Sequence, residues 1–338
     1  METSSPTANL TIGTIRLAHA SDVIRQISLS RDEISVKGKW HRVPILNYNG
    51  KRIFAKGRCL RIARLADEDW LETELEYPEQ CATILKNQGR GGLGADIFTF
   101  TQKLPATTPK WNCHTEWDSV AAVRTTSFAE WWQNLPRQSR QNVRRAQKCG
   151  IEVSVRALDD QLLRGIMGVN NDSPIRQGTV YTHYGKTFEE VKKDHSAFLD
   201  RSDFICAYLG DELVGFIWVV YRGQIASILQ ILTKASLQDR RPANALIAKA
   251  VEVCHAKGLL YLTFGMFNYG NKRLTSLREF KERNGFSEIL VPRYYIALTR
   301  WGRLCMRVRL HRGLLGILPH GAIMAALRFR TLWVNFAA

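Results

Sequence analysis

Apolar and polar positions are most legible from Phe204 onward. Phe204–Leu209, Leu213–Tyr221 and Ile225–Leu232 are apolar runs of strand length, separated by Gly210-Asp211-Glu212 and Arg222-Gly223-Gln224. Such runs between turn residues predict three antiparallel strands. Pro242 then opens a helix that closes before Gly258. Its apolar positions Leu246, Ala250, Val253 and Cys254 make one stripe, widened by Ile247 and Val251, that suits packing on a sheet. A strand over Leu259–Phe264, a helix over Asn271–Asn284 stopped by Gly285, and a strand over Phe286–Leu298 follow.

Upstream, the first 118 residues read as β-rich. Trp40–Phe54 is two extended runs around Tyr48-Asn49-Gly50, a hairpin turn. Strands are expected over 58–65 and 96–103, with a helix from Pro78 to Gly89 between them. Residues 104–116, with two prolines, read as a linker, and a strand over 117–124 follows. Ser127-Phe128-Ala129-Glu130 and Thr187-Phe188-Glu189-Glu190 are capping boxes that start helices, the first kinked at Pro136 and ending at Gly150. A strand over 151–158 lies between them. No internal repeat is visible.

The motifs resemble a known group. GDELVGFIWVVYRGQIASILQILTKAS, LQDRRPANALIAKAVEVCHAKG and FKERNGF are similar to an acyltransferase domain of the GNAT superfamily. WWQNLPRQSRQNVRRAQKCGIEV is similar to FemAB-like proteins, which hold two GNAT-like domains in tandem. The resemblance implies an α+β fold with a mixed, mostly antiparallel sheet. Three regions are expected: a smaller β-rich domain over 1–116, a degenerate GNAT-like copy in one reading; a GNAT-like domain over 117–298; and a basic amphipathic tail over 299–338.

The resemblance also implies a site. Acyl-CoA would lie along Ile231, Leu232 and Thr233, with its phosphates at the turn Gln238–Asn244. The family pattern Q/R-x-x-G-x-G/A reads here Gln238, Asp239, Arg240, Arg241, Pro242, Ala243. Arg241 replaces the first glycine and Pro242 removes an amide donor, so Arg240 and Arg241 would compensate by charge. Asn244 completes the turn. Many GNAT enzymes carry a tyrosine acid four residues before the last Gly-Phe; here that position is Lys281, after Phe280. Its implied role is a cation near the acyl carbonyl, and the simpler one a lysine snorkelling from its helix. Tyr294 or Tyr295 would be a backup acid, at most one of them facing a given cleft. Asn271 is a substrate contact or simply an N-cap. No metal is expected: neither Cys113-His114 nor Cys254-His255 has zinc spacing.

Charge sharpens this reading. The 338 residues hold 48 Lys and Arg against 31 Asp and Glu, a net charge of +17. Five of the bases lie in 137–148 and six in 301–338, both acid-free. Arg137, Arg140, Arg144 and Lys148, with Arg145, form a helical stripe suited to an anionic substrate or tRNA, or else paired with acids such as those of 67–76. In the tail, Trp301, Leu304, Cys305 and Val308 form a stripe flanked by arginines. It fits an anionic membrane surface, or packs on the body with its arginines outward. Seven scattered cysteines and an N-terminus without a signal pattern predict a cytosolic protein, peripheral at the inner membrane face in one reading. The leading function is acyl transfer from acyl-CoA to an amine of a cell-envelope or polysaccharide precursor. The alternatives are aminoacyl transfer from charged tRNA and a non-catalytic module binding nucleic acid or membrane.

Overall fold

The computed structural model describes residues 27–36, 39–71, 73–176, 179–268 and 276–313. The first half contains strands β1 (Ile27–Val36), β2 (Lys39–Tyr48), β3 (Lys51–Lys56) and β4 (Ile62–Leu65), helix α1 (Pro78–Gln88) and strand β5 (Ile97–Thr101). Asn49 and Gly50 both adopt positive φ, and the tight turn they make brings Tyr48 opposite Lys51. β4 starts at Ile62, four residues later than expected. β1 has no clear apolar alternation because Arg31, Asp32 and Glu33 occupy its middle; these charges suit a sheet edge.

The second half runs through β6 (His114–Arg124), α2 (Phe128–Asn134), α3 (Arg137–Lys148), β7 (Ile151–Arg156), α4 (Asp160–Asn170), the short pair β8 (Ile175–Arg176) and β9 (Thr179–Val180), and α5 (Phe188–His195). Then come β10 (Ser202–Leu209), β11 (Glu212–Arg222), β12 (Ile225–Thr233), α6 (Pro242–Ala256), β13 (Tyr261–Met266), α7 (Ser276–Arg283), β14 (Ser287–Ala297) and α8 (Arg300–Arg307). β6 begins inside the segment read as a linker. The capping box at Thr187 is complete; at Ser127 the hydroxyl accepts from the Glu130 amide.

Among the described residues, twelve strands form one sheet in the order β1-β2-β3-β4-β5-β14-β6-β13-β12-β11-β10-β7. Read from either end, the order is the same. Four antiparallel strands lead to a parallel junction, β4 with β5 or β12 with β13, each made by a helical crossover, α1 or α6. At the centre the halves exchange strands: β14 lies against β5, and β6 against β13. The fold is thus α+β with two GNAT-like halves in one sheet. α1 covers a core containing Phe98, Phe100, Cys81 and Leu85; α6 covers one containing Ile205, Ile217 and Val219. α4 and α5 cover the opposite face of the second half, over Phe204, Phe216 and Trp218.

Candidate active site at the strand splay

β12 and β13 pair only at Ile225–Ser227 and Tyr261–Thr263, then separate. Each strand carries a bulge where they part. Opposite β11, Leu229 is left out between Ile228 and Gln230; opposite β6, the register slips between Thr263 and Met266, with Gly265 at φ 56°. An extra residue bends its strand, so the two bulges open a wedge in the sheet.

The wedge is a cleft of about 740 Å³ lined by Leu229–Thr233 of β12, by Gln238 and Arg241–Asn244 at the start of α6, and by Phe264, Leu277 and Phe280. Ile231, Leu232, Thr233, Gln238, Arg241, Ala243 and Asn244 therefore come together. Arg240 does not line the cleft. Arg241 sits in the left-handed region, φ 62° and ψ 36°, where the family pattern has glycine. Asn244 donates its side-chain amide inward to Asn284 Oδ1 at 2.9 Å. Arg176 was not singled out in sequence. Its guanidinium donates to the carbonyls of Thr233 and Val169 and braces the open end of β12.

Lys281 does not snorkel. It is fully buried, its ammonium donates to the Met266 carbonyl at 2.7 Å and lies 4.5 Å from the Phe264 ring centre. Burial lowers its pKa to about 8. The cation thus props the bulged end of β13 from behind. His195 is buried under β12 and pairs with Val191 O and the Gln230 side chain, fixing the other lip of the wedge.

A second, central cavity of about 320 Å³ lies between the halves, lined in part by Met266 and by Ile228, Thr263 and Gly265, the chain neighbours of wedge residues Leu229 and Phe264. Its polar walls are Glu68, Lys103, Asp118, Arg222, Arg293 and Tyr295. Arg293 bonds Asp118 at 2.6 Å and Glu68 at 3.1 Å. Burial disfavours its charge, but these two carboxylates outweigh that and raise its pKa. Lys103 donates to the Leu71 carbonyl, and burial with Arg222 nearby brings its pKa down to about 7. Of the two tyrosines, Tyr295 faces this cavity. Tyr294 does not: it is fully buried in the first half's core, stacked on Phe100, its hydroxyl donating to Gln102 and accepting from Lys110 N–H. It is a packing residue, not an acid.

The basic stripe divides. Arg140 donates to the carbonyls of Trp132, Gln133 and Leu135, so it caps α2 instead of meeting a substrate. Arg137, Arg144 and Arg145 are exposed. Arg145 is 4.0 Å from Asp239 of the turn before α6, which places α3 beside the cleft. Three of the acids of 67–76 are engaged elsewhere: Asp67 with Arg52, Glu68 with Arg293 and Glu74 with Lys110. Asn271 and residues 314–338 lie outside the described residues. His114, Glu116 and His311 bring ligand atoms within 4.8 Å of one another, yet Arg312 shares the Glu116 oxygen, a cation already beside the carboxylate. No helix among the described residues is long and apolar enough to cross a membrane.

Residues 134–282 match the model of the acetyltransferase (GNAT) domain family. Among solved structures, FemX superposes with a TM-score of 0.53 at 9% identity, covering 83% of this chain and 90% of FemX. The C-terminal domain (DUF2156) of a protein assigned as a lysylphosphatidylglycerol synthetase from Agrobacterium fabrum gives 0.50 at 14%, covering 77% and 84%. No curated protein is significantly similar in sequence. Residues 134–282 thus carry the match to the acetyltransferase (GNAT) domain family, and with its wedge between β12 and β13 the chain has a FemAB-like, tandem GNAT-like fold.

Proposed function

We propose that the protein transfers an acyl group from a thioester donor, acyl-CoA, in the wedge to an amine of an acceptor in the central cavity. The observation that carries this is the wedge itself. Beyond Ser227 no described strand pairs with the β13-facing edge of β12, so its backbone, apart from the Thr233 carbonyl that Arg176 holds, is open to an amide-bearing pantetheine arm. The start of α6 would take the phosphates; Pro242 lacks an N–H, so the Arg241 side chain would supply the missing donors. In the reaction the amine nitrogen attacks the thioester carbon, the C–S bond breaks, and the thiolate takes a proton. Lys281, through Phe264 and Met266, would hold the β13 lip against the reacting carbon; it acts by positioning. Tyr295 and Lys103 are the proton carriers on the acceptor side, and Lys103 at about 7 titrates in the useful range. Glu68, Asp118 and Arg293 would fix the acceptor by hydrogen bonds in a cavity of mixed charge.

Aminoacyl transfer from charged tRNA is the second reading. The exposed arginines of α3 beside the same turn favour it. A thermal-shift comparison separates the two. Acetyl-CoA should raise the melting temperature and Arg241→Glu should remove that shift. A shift with charged tRNA alone, lost on replacing Arg137, Arg144 and Arg145, would favour the second reading over the first.

A further inference from the structure

α8 lies away from the wedge, docked on the first half. Its inner side is Gly302 and Cys305, both buried. Thr299 accepts from the Gly302 amide and donates to Asp96, and a side chain at Gly302 would strike the Asp96 carbonyl. After α8, Glu116 of β6 holds His311 at 2.7 Å and Arg312 at 2.8 Å. The helix is therefore pinned at both ends.

Its outer side is unlike an ordinary solvated face. Trp301, Leu304 and Val308 form an i, i+3, i+7 row and are 45%, 49% and 50% exposed. Arg300, Arg303, Arg307 and Arg309 flank the row, all exposed, and residues 299–313 contain no acid. A second segment, distant in sequence, enlarges the patch. The Trp301 indole donates to the Cys59 carbonyl, which brings exposed Lys56 and Arg58 alongside. A polyanionic nucleic acid would reward the bases but not the apolar row between them. The headgroup zone of an anionic bilayer rewards both, and a half-exposed tryptophan suits that depth.

We propose that this patch docks the protein on an anionic phospholipid bilayer, with Trp301, Leu304 and Val308 entering the headgroup boundary and the arginines meeting lipid phosphates. The surface is separate from the wedge and stands whether or not the wedge takes a thioester.

Flotation of the full chain with vesicles tests this. Phosphatidylglycerol-containing vesicles should carry the protein and phosphatidylcholine vesicles should not, and added salt should weaken the binding. R303E/R307E should reduce partitioning by about tenfold or more. Leu304→Asp should reduce it at unchanged surface arginine content. All three substitutions fall on exposed positions, and an unchanged melting temperature confirms that the fold is kept. The proposal is overturned if anionic vesicles do not carry the protein, if both lipids carry it equally, or if both variants float as the parent does. Self-association lost in Leu304→Asp without vesicle binding, or tRNA binding lost in R303E/R307E without it, would equally overturn it.

Discussion

Lys281→Met isolates the energetic cost of placing a cation behind the wedge. Methionine keeps the length and apolar stem of lysine and removes the charge. Burial holds the Lys281 pKa at about 8 against 10.5 in an unfolded chain. The folded state therefore binds the proton less tightly. The cost is fully present below pH 8 and fades as pH rises toward 10.5. At pH 7 it amounts to roughly 3 kcal/mol. Two losses in the variant oppose this gain. The Met266 carbonyl loses its donor, worth about 1–3 kcal/mol, and the Phe264 ring loses a cation worth about 2 kcal/mol. These nearly cancel the gain at pH 7, so the decisive quantity is the pH slope. Between pH 7 and pH 9 the parent recovers about 1.3 kcal/mol relative to the variant. Urea unfolding of both proteins at the two pH values measures it. A stability gap that is unchanged with pH, or that moves in favour of the variant as pH rises, would refute a desolvated ammonium at this position.

Arg241→Gly should raise stability by about 1 kcal/mol, because a left-handed arginine is strained and glycine is not; a lower urea midpoint would count against the αL geometry. Arg140→Ala should cost about 1–3 kcal/mol by leaving three α2 carbonyls without their donor. Its tRNA salt dependence should match that of the parent, whereas a flatter slope would restore Arg140 to the anion-binding stripe. Gly302→Ala should loosen α8, since the new Cβ would meet the Asp96 oxygen at 2.0 Å. Limited trypsin digestion should then cut faster after Arg303 and Arg307, and an unchanged rate would mean that α8 is not held there.

The sequence discloses what is local. The meander, α6 and the Asn49-Gly50 hairpin follow from short apolar runs, a proline at the first helical position and turn residues that accept positive φ. What it hides depends on partners far along the chain. β14 looks like the closing strand of its own domain, yet it pairs with β5 of the first half. That exchange decides which tyrosine faces the central cavity: alternation says only that Tyr294 and Tyr295 face opposite ways, and the register with β5 turns Tyr294 into the core. The wedge itself comes from bulges at Leu229 and Gly265, which no periodicity marks. Arg140 shares the spacing of Arg137 and Arg144, but Pro136 ends α2 just before it, leaving open carbonyls within its reach. α4, absent from the sequence expectations, does carry a local signal: Leu162, Leu163, Ile166 and Val169 make a helical stripe with Asp159 as its N-cap.

Amide hydrogen exchange of the full chain with and without acetyl-CoA tests the central claim most directly. A thioester donor in the wedge should slow exchange over residues 228–233 and 243–246, where the unpaired β12 edge and the start of α6 would meet it. Exchange that acetyl-CoA leaves unchanged there, while charged tRNA slows it over 137–148 and along β12, would contradict acyl-CoA as the donor.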